Sequence, residues 1–237
     1  MRSVAASLRQ WRRLAWQHPE WWTIALSAAA WLTIMSQWMV ASSHDHAGHA
    51  ARHGSVIVSS VLMIAAMMFP TVVSSVRMVA ARSLWRRRHR AILQFIAGYA
   101  APWLLFCLAV SIVIPALHSS QAAAFGFGAA VLWQLTPLKR RAMLACHRTI
   151  PIAPTGWRAN RDCFRSGWIV GVSCVTSCWV LMLASMLSDH SLPAMLCATF
   201  IGILERAQFR PNQRLLCSAM LLLAVVYVTV PYLAHPH

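Results

Sequence analysis

Seven apolar runs of sixteen to twenty-six residues, set apart by short arginine clusters, leave this chain few ways to fold. They cover residues 22–41, 55–80, 92–117, 121–138, 167–187, 190–205 and 214–233. About 20 apolar residues in a helix cross the hydrocarbon core of a bilayer. Inside that core every backbone N–H and C=O must find its partner within the protein, which favours helices. Composition agrees, with 59% of residues apolar and 11% charged, where soluble domains carry about 25% charged residues. The expectation is an all-α polytopic membrane bundle of about seven transmembrane helices. It forms a single integral membrane domain over 1–237, multi-pass in a bacterial inner membrane, with the lipid bilayer as its first partner.

The net charge of +16 does not point to nucleic acid, because the basic residues fall in the breaks between apolar runs. Twenty of the 21 lie before the first run, in or beside the break between the second and third, between the fourth and fifth, or in or beside the break between the sixth and seventh. Arg52 alone falls on the other side. That asymmetry places the N-terminus in the cytoplasm and the C-terminus in the periplasm or outside. The first run has the basic leader of a signal peptide, but it is long, tryptophan-rich and lacks a small-residue cleavage site, so it is expected to remain a span. Trp21, Trp22, Trp85, Trp133 and Trp168 fall near the predicted interfaces, where an indole is half in lipid and half wet.

The histidines sort the opposite way. The outer loop reads HDHAGHAARH and carries His44, His46, His49 and His53 with Asp45. Neutral imidazole binds first-row transition metals, and short His-rich tracts are a compositional sign of metal binding. The loose spacing suits weak acquisition of an ion; a polar, uncharged outer loop is the plainer alternative.

Sulfur ligands lie inside the runs. SCVTSCWVLM places Cys174, Cys178 and Met182 at i, i+4 and i+8, one face of a helix. MIAAMMFP carries Met63, Met67 and Met68 just before Pro70, at a depth similar to that of the two thiols. Soft thiolate and thioether ligands select Cu(I) over harder divalent ions. Cysteine and methionine are also ordinary packing residues within bundles. On the inner side, QLTPLKRRAMLACHR ends the fourth run and sets Cys146 beside His147, with Cys163 further along the loop. This segment could exchange a metal or lie against anionic lipid.

Glu20, Asp45, Asp162, Asp189 and Glu205 are the only acidic residues, and none is deep in a run, so a carboxylate proton relay is absent. Glu205 is expected to pair with an inner arginine. The seventh run has no lysine, which excludes a retinal Schiff base. No phosphate-cradling glycine loop or nucleophile motif appears, against an ATP-driven transporter acting alone and against an enzyme.

In this order, MIAAMMFP, QLTPLKRRAMLACHR, GVSCVTSCWVLM and GILERAQF resemble the DUF2182 family of predicted metal-binding integral membrane proteins. The resemblance covers about residues 58 to 210. The matching positions are Met67, Met68, Pro70, Gln134, Thr136, Pro137, Lys139, Cys146, Cys174, Cys178, Trp179, Met182 and Glu205. Ser177 and Ala142 stand where members of that family often carry further cysteines. The resemblance implies metal binding, and the sulfur set makes copper ion the leading cargo.

The leading expectation is a protein that binds, transfers or transports copper through a mid-membrane Met/Cys site. Its expected associates are other membrane or periplasmic metal-handling proteins, or a larger membrane complex. Two other classes stay open. One is a non-catalytic anchor or assembly subunit of such a complex. The other is a haem- or quinone-linked redox subunit, with His118 and His190 as conceivable axial ligands.

Overall fold

The computed structural model describes residues 20–43, 56–113, 122–146, 151–153, 155–188, 191–207 and 213–234. Among the described residues eight α-helices run in chain order: α1 Trp21–Ser43, α2 Val56–Arg82, α3 Arg88–Val113, α4 Ala122–Gln134, α5 Pro137–Cys146, α6 Gly156–Leu187, α7 Leu192–Ala207 and α8 Gln213–Ala234. A short 3-10 turn, Trp85–Arg87, links α2 to α3. Among the described residues there is no strand.

Each of the seven apolar runs coincides with a helix, but two boundaries differ from expectation. The fourth run reads as one helix over 121–138, whereas α4 stops at Gln134 and α5 begins at Pro137. The physical reason lies in Thr136 and Pro137. The residue before a proline avoids helical torsions, while proline is well suited to the first helical position. Thr136 Oγ1 then accepts the Lys139 N–H at 3.3 Å, the N-cap arrangement. The fifth run reads as beginning at 167, whereas α6 already begins at Gly156, so the amphipathic stretch of the basic loop is continuous with it.

Among the described residues three helical stretches are long and apolar enough to cross a membrane: Val58–Arg82, Trp85–Val113 and Gly156–Leu187. Their outward faces are apolar too. Ile112 is 80% exposed and Leu93 65% exposed, a pattern a water-soluble surface rarely sustains. The protein is a membrane protein.

The helices pack in the sequence α1, α2, α3, α6, α4, α8, with α5 against α6 and α7 against both α2 and α6. The closest approach is between α3 and α6. A Cβ built on Gly98 would stand 2.1 Å from the Phe164 carbonyl oxygen, and one on Gly167 would stand 2.1 Å from that of Phe95. Glycine at both positions lets the backbones meet, as small residues do between helices in lipid.

Pro70, within α2, leaves the Ala66 carbonyl without its helical donor. Two side chains of α1 replace it: Ser27 Oγ and Trp31 Nε1 each donate to that oxygen at 3.0 Å. Further contacts gather one end of the bundle. Arg77 donates to Glu20 at 2.7 Å, Trp22 Nε1 to His89 at 3.2 Å, and Arg87 to Asn160 at 2.7 Å. The N-terminal ends of α1, α3 and α6 and the C-terminal end of α2 therefore meet there, and this is the arginine-bearing end.

The α3–α6 contact makes a clean comparison. Gly167→Ala should destabilise the protein by about 1–3 kcal/mol or more through overpacking, whereas Gly128→Ala, which meets nothing within 4 Å, should be close to neutral. Thermal unfolding in detergent would show a lowered midpoint for the first variant alone. Equal midpoints would mean that the two helices are not in backbone contact.

Candidate functional site

Cys174, Cys178 and Met182 all face the interior of the bundle, exposed by 0%, 6% and 0%. The stripe inferred from their spacing is therefore a buried one. α2 and α6, which carry the methionines and the thiols, make no extended direct contact, because α3 stands between them. What joins them is Tyr99 of α3. Its hydroxyl lies 3.2 Å from Cys174 Sγ and donates to the Met68 carbonyl at 3.3 Å. Thr71 Oγ1 is 3.4 Å from the same hydroxyl and itself donates to Met68 O at 2.7 Å.

A phenol has one proton to give. With that proton on the Met68 carbonyl, the Tyr99 oxygen is free to accept from a Cys174 thiol. If the sulfur loses its proton to a metal, the hydroxyl can turn and donate to the sulfur. The site thus contains a donor that adapts to either state of Cys174. Ser177, a turn further along α6, behaves similarly: its Oγ donates to the Cys174 carbonyl at 2.9 Å and lies 3.4 Å from Cys178 Sγ.

Two basic residues reach the thiols. The Arg206 guanidinium, from the end of α7, stands beside Cys174, Cys146 and Tyr99. Lys139 stands near Cys178 and donates to Glu205 Oε1 at 2.8 Å and to Gln134 Oε1. Both members of the Lys139–Glu205 pair are buried, with side chains exposed by 3% and 2%. Glu205 thus pairs with a lysine and not with the arginine expected from the charge pattern. The reason is the α4–α5 break, which turns Lys139 inward from the first turn of α5. The break produces a buried, hydrogen-bonded ion pair linking α5 to α7.

Cys146, at the last position of α5, is buried and approaches Cys174, Ser177 and Arg206. Burial pushes its thiol up to about 11 against the opposing influence of Arg206. It holds its proton at neutral pH. Cys163 does not join this group: it is buried near Ser83, Arg87 and Asp162. Met63, Met67 and Met68 are buried in the core, and the Met68 backbone, through its carbonyl, is what connects with Tyr99. His44, His46, His49, His53, His118, His147 and His190 lie outside the described residues.

Among the described residues no three His, Cys, Asp or Glu side chains form a group that could hold a metal ion. Sequence reasoning does not single out Tyr99 or Arg206. The signal for Tyr99 is a lone phenol in an apolar run, since a buried hydroxyl needs a partner. Arg206 carries no signal beyond its place next to Glu205.

Removing one member of the buried ion pair should be costly. Lys139→Met or Glu205→Leu should each destabilise by about 3–5 kcal/mol, because the remaining charge is left buried and unpaired. The double variant should recover much of that loss. Unfolding midpoints of the three variants in detergent measure this coupling, and simple additivity would mean that the pair does not form.

The family model PpoB2, described as copper chaperone, matches residues 57–230, which include every helix from α3 to α7 and nearly all of α2. No curated protein and no solved structure matches the chain. The matched region contains the thiol stripe, Tyr99, Cys146, the buried ion pair and Arg206. The chain belongs to the PpoB2 family of copper chaperones.

Proposed function

We propose that this protein is a multi-pass inner-membrane copper chaperone that holds Cu(I) on Cys174 and Cys178 and exchanges it through Cys146. The observation that carries this reading is the buried Cys174, 3.2 Å from the Tyr99 hydroxyl, with Arg206 beside it and beside Cys146 and Cys178, in a chain of a copper-chaperone family. Soft sulfur donors favour Cu(I), and a low coordination number leaves the ion open to capture by the next ligand. Met182, on the same buried face of α6 as the two thiols, would serve as the auxiliary thioether. The reading retains seven spans, a cytoplasmic N-terminus and an external C-terminus, so the arginine-bearing end faces the cytoplasm. It also retains His44, His46, His49 and His53 as an outer collecting segment, and His147 beside Cys146 as a component of the inner exchange site. The DUF2182 resemblance belongs to the same reading, as do metal-handling partners at the membrane or in the periplasm.

Copper here is cargo. The chain's own residues bind it, keep water from the sulfurs by burial, and orient a hydroxyl toward whichever form of Cys174 is present. Met68 and Thr71 hold the Tyr99 hydroxyl in place for that purpose.

Purification in detergent under reducing, anaerobic conditions, loading with Cu(I) and mass spectrometry of bound metals test the proposal. About one copper per chain is expected. Cys174→Ala/Cys178→Ala should lose it, while Cys197→Ala, which changes an exposed thiol, should not. No copper in the loaded wild-type protein would sink the reading and leave the thiols as packing residues of an assembly subunit.

A further inference from the structure

A cavity of about 440 Å³ lies at the arginine-bearing end, where the ends of α2, α5 and α7 meet α3 and α6. Arg206 and Cys146 both line it, with Ser74, Ser75, Ser166 and Thr71 supplying hydroxyl groups. Arg77 and Arg82 also border it, and no carboxylate belongs to the described lining. Arg77 is occupied by Glu20. Arg206 Nη2, by contrast, is buried and has no hydrogen-bond partner among the described residues. A buried guanidinium nitrogen in that condition is a place for an acceptor.

Such a cavity is poorly suited to a bare copper ion. A positive field over a low-dielectric pocket repels a cation and concentrates anions. Yet one wall carries a thiol, and Cys174 stands behind the same guanidinium. A ligand that satisfies both features must bring a negative group for Arg206 and a soft metal for the sulfurs. The volume falls within the range of small-molecule sites, about 300–1,000 Å³.

We propose, building on the copper-handling reading, that this cavity admits copper as the anionic Cu(I) complex of a small carboxylate-bearing thiol. The carboxylate lies on Arg206 and the cavity hydroxyls, and the copper is presented to Cys146. Transfer is then ligand exchange. A bond forms between Cys146 Sγ and Cu(I) as the bond to the carrier sulfur breaks, and the cysteine proton leaves on the released thiol. Copper remains Cu(I) throughout, so no oxidant or reductant is needed. In a second exchange a Cys174 Sγ–Cu(I) bond forms as the Cys146 Sγ–Cu(I) bond breaks, and the Cys174 proton passes to Cys146.

The test uses the full chain in detergent without oxygen. Cu(I) is supplied either as its glutathione complex, which is anionic, or as its complex with neutral β-mercaptoethanol, at matched free Cu(I). Initial uptake is read by rapid desalting and metal analysis. Uptake from the glutathione complex is expected to be about tenfold faster, at the lower end of what electrostatic focusing provides. That ratio should fall toward one in Arg206→Met, survive to a lesser degree in Arg206→Lys, and shrink as salt is added to the wild-type protein. Equal wild-type rates would overturn this inference and leave the copper reading standing. Uptake from neither complex would overturn both. A phospholipid retained on wild-type protein and released from Arg206→Met, without any difference in uptake, would assign the cavity to a lipid phosphate instead.

Discussion

Gly98 and Gly167 let the backbones of α3 and α6 touch, and the arrangement of the thiols depends on that contact. With side chains at these positions the helices would stand apart, and the Tyr99 hydroxyl could not lie 3.2 Å from Cys174 Sγ. Tyr99 in turn brings α2 into the site through the Met68 carbonyl rather than through a thioether. Within hydrocarbon a polar group has no water to fall back on, so such links are specific. The Ala66 carbonyl illustrates the rule. Freed by Pro70, it receives two donors from α1, and the proline that disturbs α2 thereby fixes the position of its neighbour.

The charges around the sulfurs follow a simple balance. Lys139 and Glu205 neutralise one another, and Gln134 completes the lysine's hydrogen bonding. Among the described residues no carboxylate pairs with Arg206, which stands beside Cys174 and Cys146. On the proposed reading, Cu(I) held by two thiolates carries one negative charge, which a single guanidinium offsets. A divalent ion on the same two thiolates would be neutral and leave the guanidinium unbalanced in a low-dielectric place, where such an imbalance is costly. Selectivity for the monovalent ion can thus come from the surrounding charge as well as from the softness of sulfur.

Much of this is legible in the sequence because it depends on period or composition. The apolar runs become helices, the i, i+4, i+8 stripe becomes a buried face, and Arg77, Arg82, Arg87 and Arg206 gather at one end. QLTPLK is legible as a motif but not as a mechanism. Thr136 and Pro137 end one helix and begin another, and that break turns Lys139 inward to meet Glu205. What sequence does not supply is the identity of neighbours. Tyr99 and Arg206 matter because α3 lies between α2 and α6 and because α7 ends against α5. Neither fact has a local signature. Cys163 stays apart from Cys146 for the same reason, since it lies near Ser83 and Arg87 whereas Cys146 lies near Cys174 and Arg206.

The departures at Ser177 and Ala142 gain meaning from this geometry. Both positions are buried, and Ser177 Oγ lies 3.4 Å from Cys178 Sγ. Relatives in the family that the motifs resemble often place a cysteine there, which would add a sulfur within reach of the stripe. A hydroxyl is a weak partner for Cu(I) but a good donor to a thiolate, so on the proposed reading this chain would have a hydrogen bond where the resemblance implies a ligand. Fewer sulfurs around the ion leave more of its coordination sphere open to an incoming thiol. Ligand exchange through an associative step then proceeds without first unbinding the ion. A site built for storage would gain from closing that opening, whereas a chaperone must release what it holds, and the serine favours release.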